Sequence, residues 1–160
     1  MLVAKTNFIK YLSISIALFL IDQISKVLII NNSTLDSGDQ IPIINSILVL
    51  KKIENKGIAF GIDGNGDFSY ILIPLTIILT MLIALYLYKV SSRKNTLLSL
   101  SLAFILGGAL GNLFDRLYSN AVVDFIWIGL THNIRWDYIF NLADTFITIG
   151  MTMLIISDLI

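Results

Sequence analysis

Five aspartates stand in or beside apolar helical runs of this 160-residue chain: Asp22, Asp115, Asp124, Asp144 and Asp158. A carboxylate at hydrocarbon depth costs about 2.5–3.5 kcal/mol on insertion scales, so each needs a partner, a wet cavity or a chemical role. Two such groups facing each other are the equipment of an acid–base catalyst. They cannot both ionise cheaply, so they share a proton and titrate as a pair. The ionised member takes a proton from water and the protonated member donates to a carbonyl oxygen. Water then attacks directly, with no covalent intermediate and no metal.

The elements that must position these acids are membrane elements. The chain is 56% hydrophobic and 14% charged, with a mean hydropathy of +0.85. Soluble domains are roughly 45–50% apolar and about 25% charged. Net charge is zero, which leaves no electrostatic basis for binding nucleic acid. With no Cys and one His, His132, thiol nucleophiles, disulfides, Fe–S clusters and ordinary zinc sites drop out. Aspartates alone leave an Mg²⁺ site conceivable, but no acidic cluster at phosphotransferase spacing accompanies them, so we expect neither metal nor cofactor.

Four runs reach the roughly 20 residues a span needs: about 8–30, 69–90 (with Pro74), 96–117 and 138–157. The expectation is an all-α membrane protein, a single four-helix transmembrane bundle over 1–160. Lys5 and Lys10 precede the first run as in a signal peptide, but its length and lack of an A-x-A exit read as a retained anchor. With Lys89, Arg93 and Lys94 they place both termini on the cytoplasmic side. Lys51, Lys52, Lys56, Arg116 and Arg135 on the other side make the rule untidy. Between the first two spans, Ile41–Ile44 and Ile47–Ile53 are β-prone runs separated by Asn45-Ser46. Glu54-Asn55-Lys56-Gly57 reads as a turn before Ile58–Phe60. A small antiparallel sheet over about 40–61 on the membrane surface is expected. The second outer segment, Tyr118 to Asp137, carries Trp127 and Trp136, suited to the interfacial belt.

In any four-span bundle the end of span one, the end of span three and the start of span four share one side. Asp22 and Lys26, then Asn112, Asp115 and Arg116, then Asn141 and Asp144 therefore fall in one layer, with Asp124 in the loop joining spans three and four. Asn112, Asp115 and Arg116 can share a helix face. Asn141, Asp144, Thr145, Thr148 and Thr152 form a stripe of the same period, expected to face the bundle because lipid offers no partners. Gly107 and Gly111 allow close helix approach, within the chain or between chains.

Several of these groups have plain structural readings. Asp22 and Lys26 neutralise each other at i, i+4 and are read as fold support. Asp115 beside Arg116 is read the same way, with Arg116 equally suited to orienting a substrate carbonyl or to clamping a loop. Asp158 is read as solvated, and a lone His132 is not read as a ligand. Asp144 alone could be an acid bonded to Asn141 and first-turn amides. Asp124 lies within Val122, Val123, Phe125 and Ile126, an unusual setting for a solvated loop acid. Two acids bracketing one hairpin at one depth favour chemistry.

Five blocks in order resemble the lipoprotein signal peptidases, the signal peptidase II family of bacterial membrane aspartic proteases. They are Asp22-Gln23-Ile24-Ser25-Lys26, Asn55-Lys56-Gly57-Ile58-Ala59-Phe60, the run from Gly107 to Arg116 with its G-N-x-x-D-R signature, Val122-Val123-Asp124-Phe125, and Phe140-Asn141-Leu142-Ala143-Asp144. The resemblance implies that Asp124 and Asp144 are the catalytic pair, that Asn55, Gly57, Asn112, Arg116 and Asn141 line and order the site, and that Asp115 is not one of the pair, which agrees with the reading that Arg116 occupies it. It implies a surface cradle built by the sheet and a location in the bacterial cytoplasmic membrane with the site near its outer face. The implied substrate is a prolipoprotein whose Cys already carries diacylglycerol, cut just before that Cys, with inhibition by globomycin-type peptides. Ile58 stands where a smaller residue is common. A small proton-coupled transporter is the rival reading, since intramembrane acids also build proton relays, and an interaction protein using the polar layer for assembly is the second.

Overall fold

The computed structural model of the protein describes residues 2–45, 47–57, 69–92, 95–129 and 135–160. In order the elements are α1 (Leu2–Ile30), α2 (Ser33–Asp36), β1 (Ile41–Ile44), β2 (Leu48–Asn55), α3 (Ser69–Val90), α4 (Thr96–Ser119), β3 (Val122–Gly129), β4 (Arg135–Phe140) and α5 (Leu142–Leu159). Ile58–Phe60, His132, Arg93 and Lys94 lie outside the described residues, as do the side chains of Lys5, Arg135 and Trp136.

Helices α1, α3, α4 and α5 are each long and apolar enough to cross a membrane. Helix α4 is the central one: 56% of its apolar stretch is buried, against 22% or less for the other three. Close approach explains this. A Cβ on Gly107 would come within 2.8 Å of the Leu18 Cβ of α1, and one on Gly108 would collide with the Ala143 carbonyl oxygen of α5. A Cβ on Gly111 would meet the Asp22 carboxylate. The glycines of this run therefore pack within the bundle, against two different helices. The Ser15 hydroxyl adds a cross-link by donating to the Ala103 carbonyl at 2.9 Å, a partner that lipid does not supply. Tyr11, Leu87, Val90, Leu102, Ala103 and Leu106 fill the core at the end away from the acids.

Asn120 ends α4. Its φ of 57° is left-handed, a conformation Asn tolerates, and its N–H caps the Arg116 carbonyl. The chain leaves the helix sharply and enters β3, so Asp124 lies on a strand rather than in a loop. The sheet has four antiparallel strands in the order β1-β2-β3-β4. Half of it comes from the segment after α1, as expected, and half from the connection between α4 and α5. Asn45, with φ 46°, sits at the β1–β2 turn. The supposed turn at Glu54-Asn55 is instead the end of β2, where Asn55 pairs with Val122 and Ile53 with Asp124. Residues 122–125 are all buried, one side against Ile29, Leu35 and Leu142 and the other toward the polar layer. A strand covered on both faces carries no alternating pattern, which is why its sequence does not announce it.

The fourth span begins at Leu142, not Tyr138. Asn141 caps it: its side chain accepts from the Asp144 N–H and the Asp144 side chain accepts from the Asn141 N–H. Residues 138–140 belong to β4. The threonine stripe of α5 does not turn inward either, since Thr148 and Thr152 are exposed. Their hydroxyls donate back to the Asp144 and Thr148 carbonyls at 2.8 and 2.9 Å. That i−4 bond satisfies a hydroxyl without a neighbouring helix, which removes the reason for expecting the stripe to face the bundle.

Candidate active site

At the end of the bundle beneath the sheet, two asparagines connect two acids, Asp124 and Asp144. Asn141 is fully buried. Its Nδ2 donates to Asp124 Oδ1 at 2.7 Å and to Asn112 Oδ1 at 3.1 Å. Its backbone N–H donates to Asp144 Oδ2 at 3.3 Å. Asn112, from α4, donates through Nδ2 to Asp144 Oδ1 at 2.8 Å. From the other side Asn55 donates to Asp124 Oδ2 at 2.9 Å, and its own Oδ1 accepts the Gly57 N–H at 3.0 Å. Three elements that are distant in sequence thus aim Asp124 and Asp144 into one neighbourhood, and every donor involved is a neutral amide.

Beneath this pair lies an ion cluster. Lys26 Nζ is 2.8 Å from both Asp22 Oδ2 and Asp115 Oδ2 and donates to Asn112 Oδ1 at 3.2 Å. Asp22 also accepts the Ala143 N–H at 2.9 Å, fixing the first turn of α5. Asp115 also accepts the Val123 N–H at 3.3 Å, fixing the start of β3. Both acids are thus occupied in holding the elements that carry Asp124 and Asp144. The partner of Asp115 is Lys26 on α1, not Arg116. The i+1 residue points elsewhere on a helix, and Arg116 Nη1 reaches the Asn112 carbonyl at 3.4 Å. Gln23 had no assigned role in the sequence, yet it donates to Asp22 at 3.1 Å and Asp115 at 3.0 Å, bridging the two acids.

Burial raises the Asp124 carboxyl to about 6, and the nearby charge of Asp144 pushes the same way. Hydrogen bonds from Asn55 and Asn141, and the charge of Lys26, offset part of this. Desolvation wins because Asp124 is only 2% exposed and, among the described residues, forms no ion pair. Asp144 is half-buried and borders an open cleft of about 560 Å³ walled by Ile128, Tyr138 and Phe140 of the sheet and Thr145 and Thr148 of α5. Tyr138 was not singled out from sequence; its place on β4 two residues before Phe140, which stacks on it at 6.3 Å, is a strand signal hidden by the helical reading. Burial, then the charges of Asp144 and Asp124, push its phenol up to about 12, with Arg116 offsetting in part. It stays a hydrogen-bond donor at any physiological pH. Among the described residues no group of three or more His, Cys, Asp and Glu has metal-binding geometry.

A deep neutralisable acid, a second acid at the mouth of an apolar cleft, and neutral amides holding both can activate water against a carbonyl presented from that cleft. The chain is similar to known proteins. The sequence model of the family described as Signal peptidase (SPase) II matches residues 14–160. The chain is 37% identical over 147 residues to a lipoprotein signal peptidase of Clostridioides difficile (strain 630), covering 91% of this chain and 92% of that protein. Two solved chains have the same fold at 28% identity, both described as bacterial membrane enzyme structures by the in meso method. One has a TM-score of 0.74 over 94% of this chain and 87% of its own. The other has a TM-score of 0.71 over 92% and 91%.

Proposed function

Since this chain belongs to the signal peptidase II family, and is thereby a multi-pass membrane protease that processes lipoprotein precursors, we propose that its chemistry is carried by Asp124 and Asp144 acting as an aspartic dyad. The observation that carries this reading is the shared framework: Asn141 bonds Asp124 through its side chain and Asp144 through its backbone. One residue therefore sets the relative position of both carboxyls.

In this reading Asp124, the deeper acid, holds the proton at the start of the cycle, as its raised value of about 6 favours. Asp144, at the cleft, acts as the base. It removes a proton from water as the water oxygen attacks the scissile carbonyl carbon, while Asp124 donates to the carbonyl oxygen. The tetrahedral intermediate collapses when the carbonyl re-forms and the C–N bond breaks. The departing amine takes the proton that Asp144 acquired, and Asp124 recovers its own. Asn55, Gly57, Asn112, Arg116 and Asn141 order the site without exchanging protons.

The substrate in this reading is a prolipoprotein carrying diacylglycerol on its Cys, cut immediately before that residue. Acyl chains in the leaflet and a peptide bond at the interface suit a site in a membrane-surface layer, entered laterally from the bilayer. The cradle faces the outer side of the cytoplasmic membrane with both termini inside, and a globomycin-type cyclic peptide inhibits. Family membership displaces the transporter and assembly readings. The test is cleavage of a diacylglyceryl-modified prolipoprotein by the purified protein, beside Asp124→Asn and Asp144→Asn. Folded but inert variants support the dyad. Near-normal activity in either removes that aspartate from the chemistry.

A further inference from the structure

Helix α5 carries two parallel seams. Ala143, Ile147, Gly150 and Leu154 turn toward α4: Ala143 and Gly150 are buried, and a Cβ on Gly150 would come within 2.8 Å of the Ser101 carbonyl oxygen. One position around the helix lies a second seam, Asp144, Thr148, Met151, Ile155 and Asp158, at alternating spacings of four and three. That is the 3.5-residue repeat with which one helix receives another. The first seam has its helix. The second has none among the described residues: Thr148, Met151, Ile155 and Asp158 are all exposed, Met151 by 45% and Ile155 by 59%.

Each end of the open seam runs into a cavity. At the Asp144 end is the apolar cleft of about 560 Å³ described above. At the opposite end Ile155 and Asp158 border a second cavity of about 400 Å³, closed by Tyr86 of α3 and by Asn95 and Leu98 at the start of α4. Asn95 and Ser157 are engaged there with each other, Nδ2 to Oγ at 3.1 Å. Asp158 enters no ion pair among the described residues. An acid with an aromatic ring across a small cavity is a receptor for a cationic side chain.

We propose that this seam is the docking track for the helical signal segment of the substrate, and that Asp158 with Tyr86 receives the basic residues preceding that segment. The inference rests on the protease reading above and adds the substrate element that is recognised and where. Three features support this one occupant. The seam starts at an acid of the candidate dyad, so a helix laid along it leads its cleavage end into the cleft. Asp158 follows Asp144 by fourteen positions, roughly 21 Å at about 1.5 Å per residue. The apolar core of a signal segment, about 7–15 residues, is roughly 10–22 Å long as a helix. Finally, such segments begin with a positive stretch, which meets the one acid at the far end of the track. This holds whichever way the bundle sits in the bilayer, because the basic end must lie opposite the cut.

The experiment uses two diacylglyceryl-modified substrates differing only in whether the residues before the apolar segment are Lys or Glu, cleaved by wild type and Asp158→Lys. Wild type is expected to favour the Lys substrate about 2- to 5-fold in kcat/KM, through KM, the scale of one exposed ion pair. Asp158→Lys is expected to reverse the preference. Because the chain has no Cys, Ile155→Cys and Ile156→Cys can be crosslinked to a Cys placed in the apolar segment. These neighbours lie at one depth on different faces, and only Ile155→Cys should react. An unchanged preference in Asp158→Lys, or equal crosslinking at both positions, overturns the proposal while leaving the protease reading intact. Wild type that cleaves neither substrate overturns both.

Discussion

The side-chain amide of Asn141 donates to Asp124 Oδ1 at 2.7 Å while the same residue caps the helix that carries Asp144. Position of one acid and folding of the other's helix are therefore coupled in a single side chain. Asn141→Ser separates them, because Ser is a good N-cap but too short to reach Asp124. Stability is expected to fall by about 1–3 kcal/mol, through the donor lost to the buried Asp124 and Asn112 oxygens rather than through the cap. The value of kcat/KM should fall about 10- to 100-fold, the scale of one hydrogen bond to Asp124 in the ionised form it takes on after donating its proton. Unfolding in detergent and cleavage kinetics on the same preparation check both halves. Unchanged stability together with unchanged kcat/KM would mean that Asn141 acts only as a cap.

Asp124 is raised to about 6 by burial, against about 3.9 in an unfolded chain. The folded state therefore prefers the proton. Its contribution to stability is fully present below about pH 4 and is lost as pH rises through about 6. The thermal midpoint is expected to fall over that window, with the Asp124-dependent part of the slope absent in Asp124→Asn. If Asp124 supplies the proton, kcat/KM also declines above about pH 6, and both apparent values belong to the pair. A wild-type stability curve that rises through that window would contradict the assignment.

Lys26 neutralises two buried acids at 2.8 Å each. Lys26→Met leaves both uncompensated and is expected to destabilise by about 3–5 kcal/mol. Adding Asp22→Asn and Asp115→Asn should recover much of that loss, because no buried charge then lacks a partner. Denaturant titration of the single and triple variants distinguishes this from a packing effect, in which the triple variant would be no better than the single.

Gly108 lies against the Ala143 carbonyl, and backbone cannot yield as a side chain can. Gly108→Ala is expected to cost about 1–3 kcal/mol through overpacking. It should lower cleavage more than Gly38→Ala, where the added Cβ meets nothing within 4 Å but the φ of +89° is strained. A Gly108→Ala protein with wild-type activity would show that α5 can shift without moving Asp144 off its place.

Sequence alone yields the four spans, because hydropathy is a local sum, and the layer of acids at one end of them, because four passes through a bilayer leave little choice of side. It also sufficed for the family, through five short blocks in order. It read Lys26 correctly as the partner of Asp22, a contact within one helix.

The remaining features depend on segments far apart in the chain coming together. Lys26 reaches Asp115 across from another helix, and no spacing rule sees that pairing. Residues 122–125 became a strand because β2 pairs with them across about seventy residues of chain, and burial on both faces erased the alternation that marks strands. Tyr138 went to the sheet because Asn141, three residues later, was free to cap a helix. The threonines of α5 turned outward because backbone carbonyls satisfied their hydroxyls. Helical period, length and composition are written within one segment, whereas register, capping and cross-helix charge pairing are settled by which segments meet.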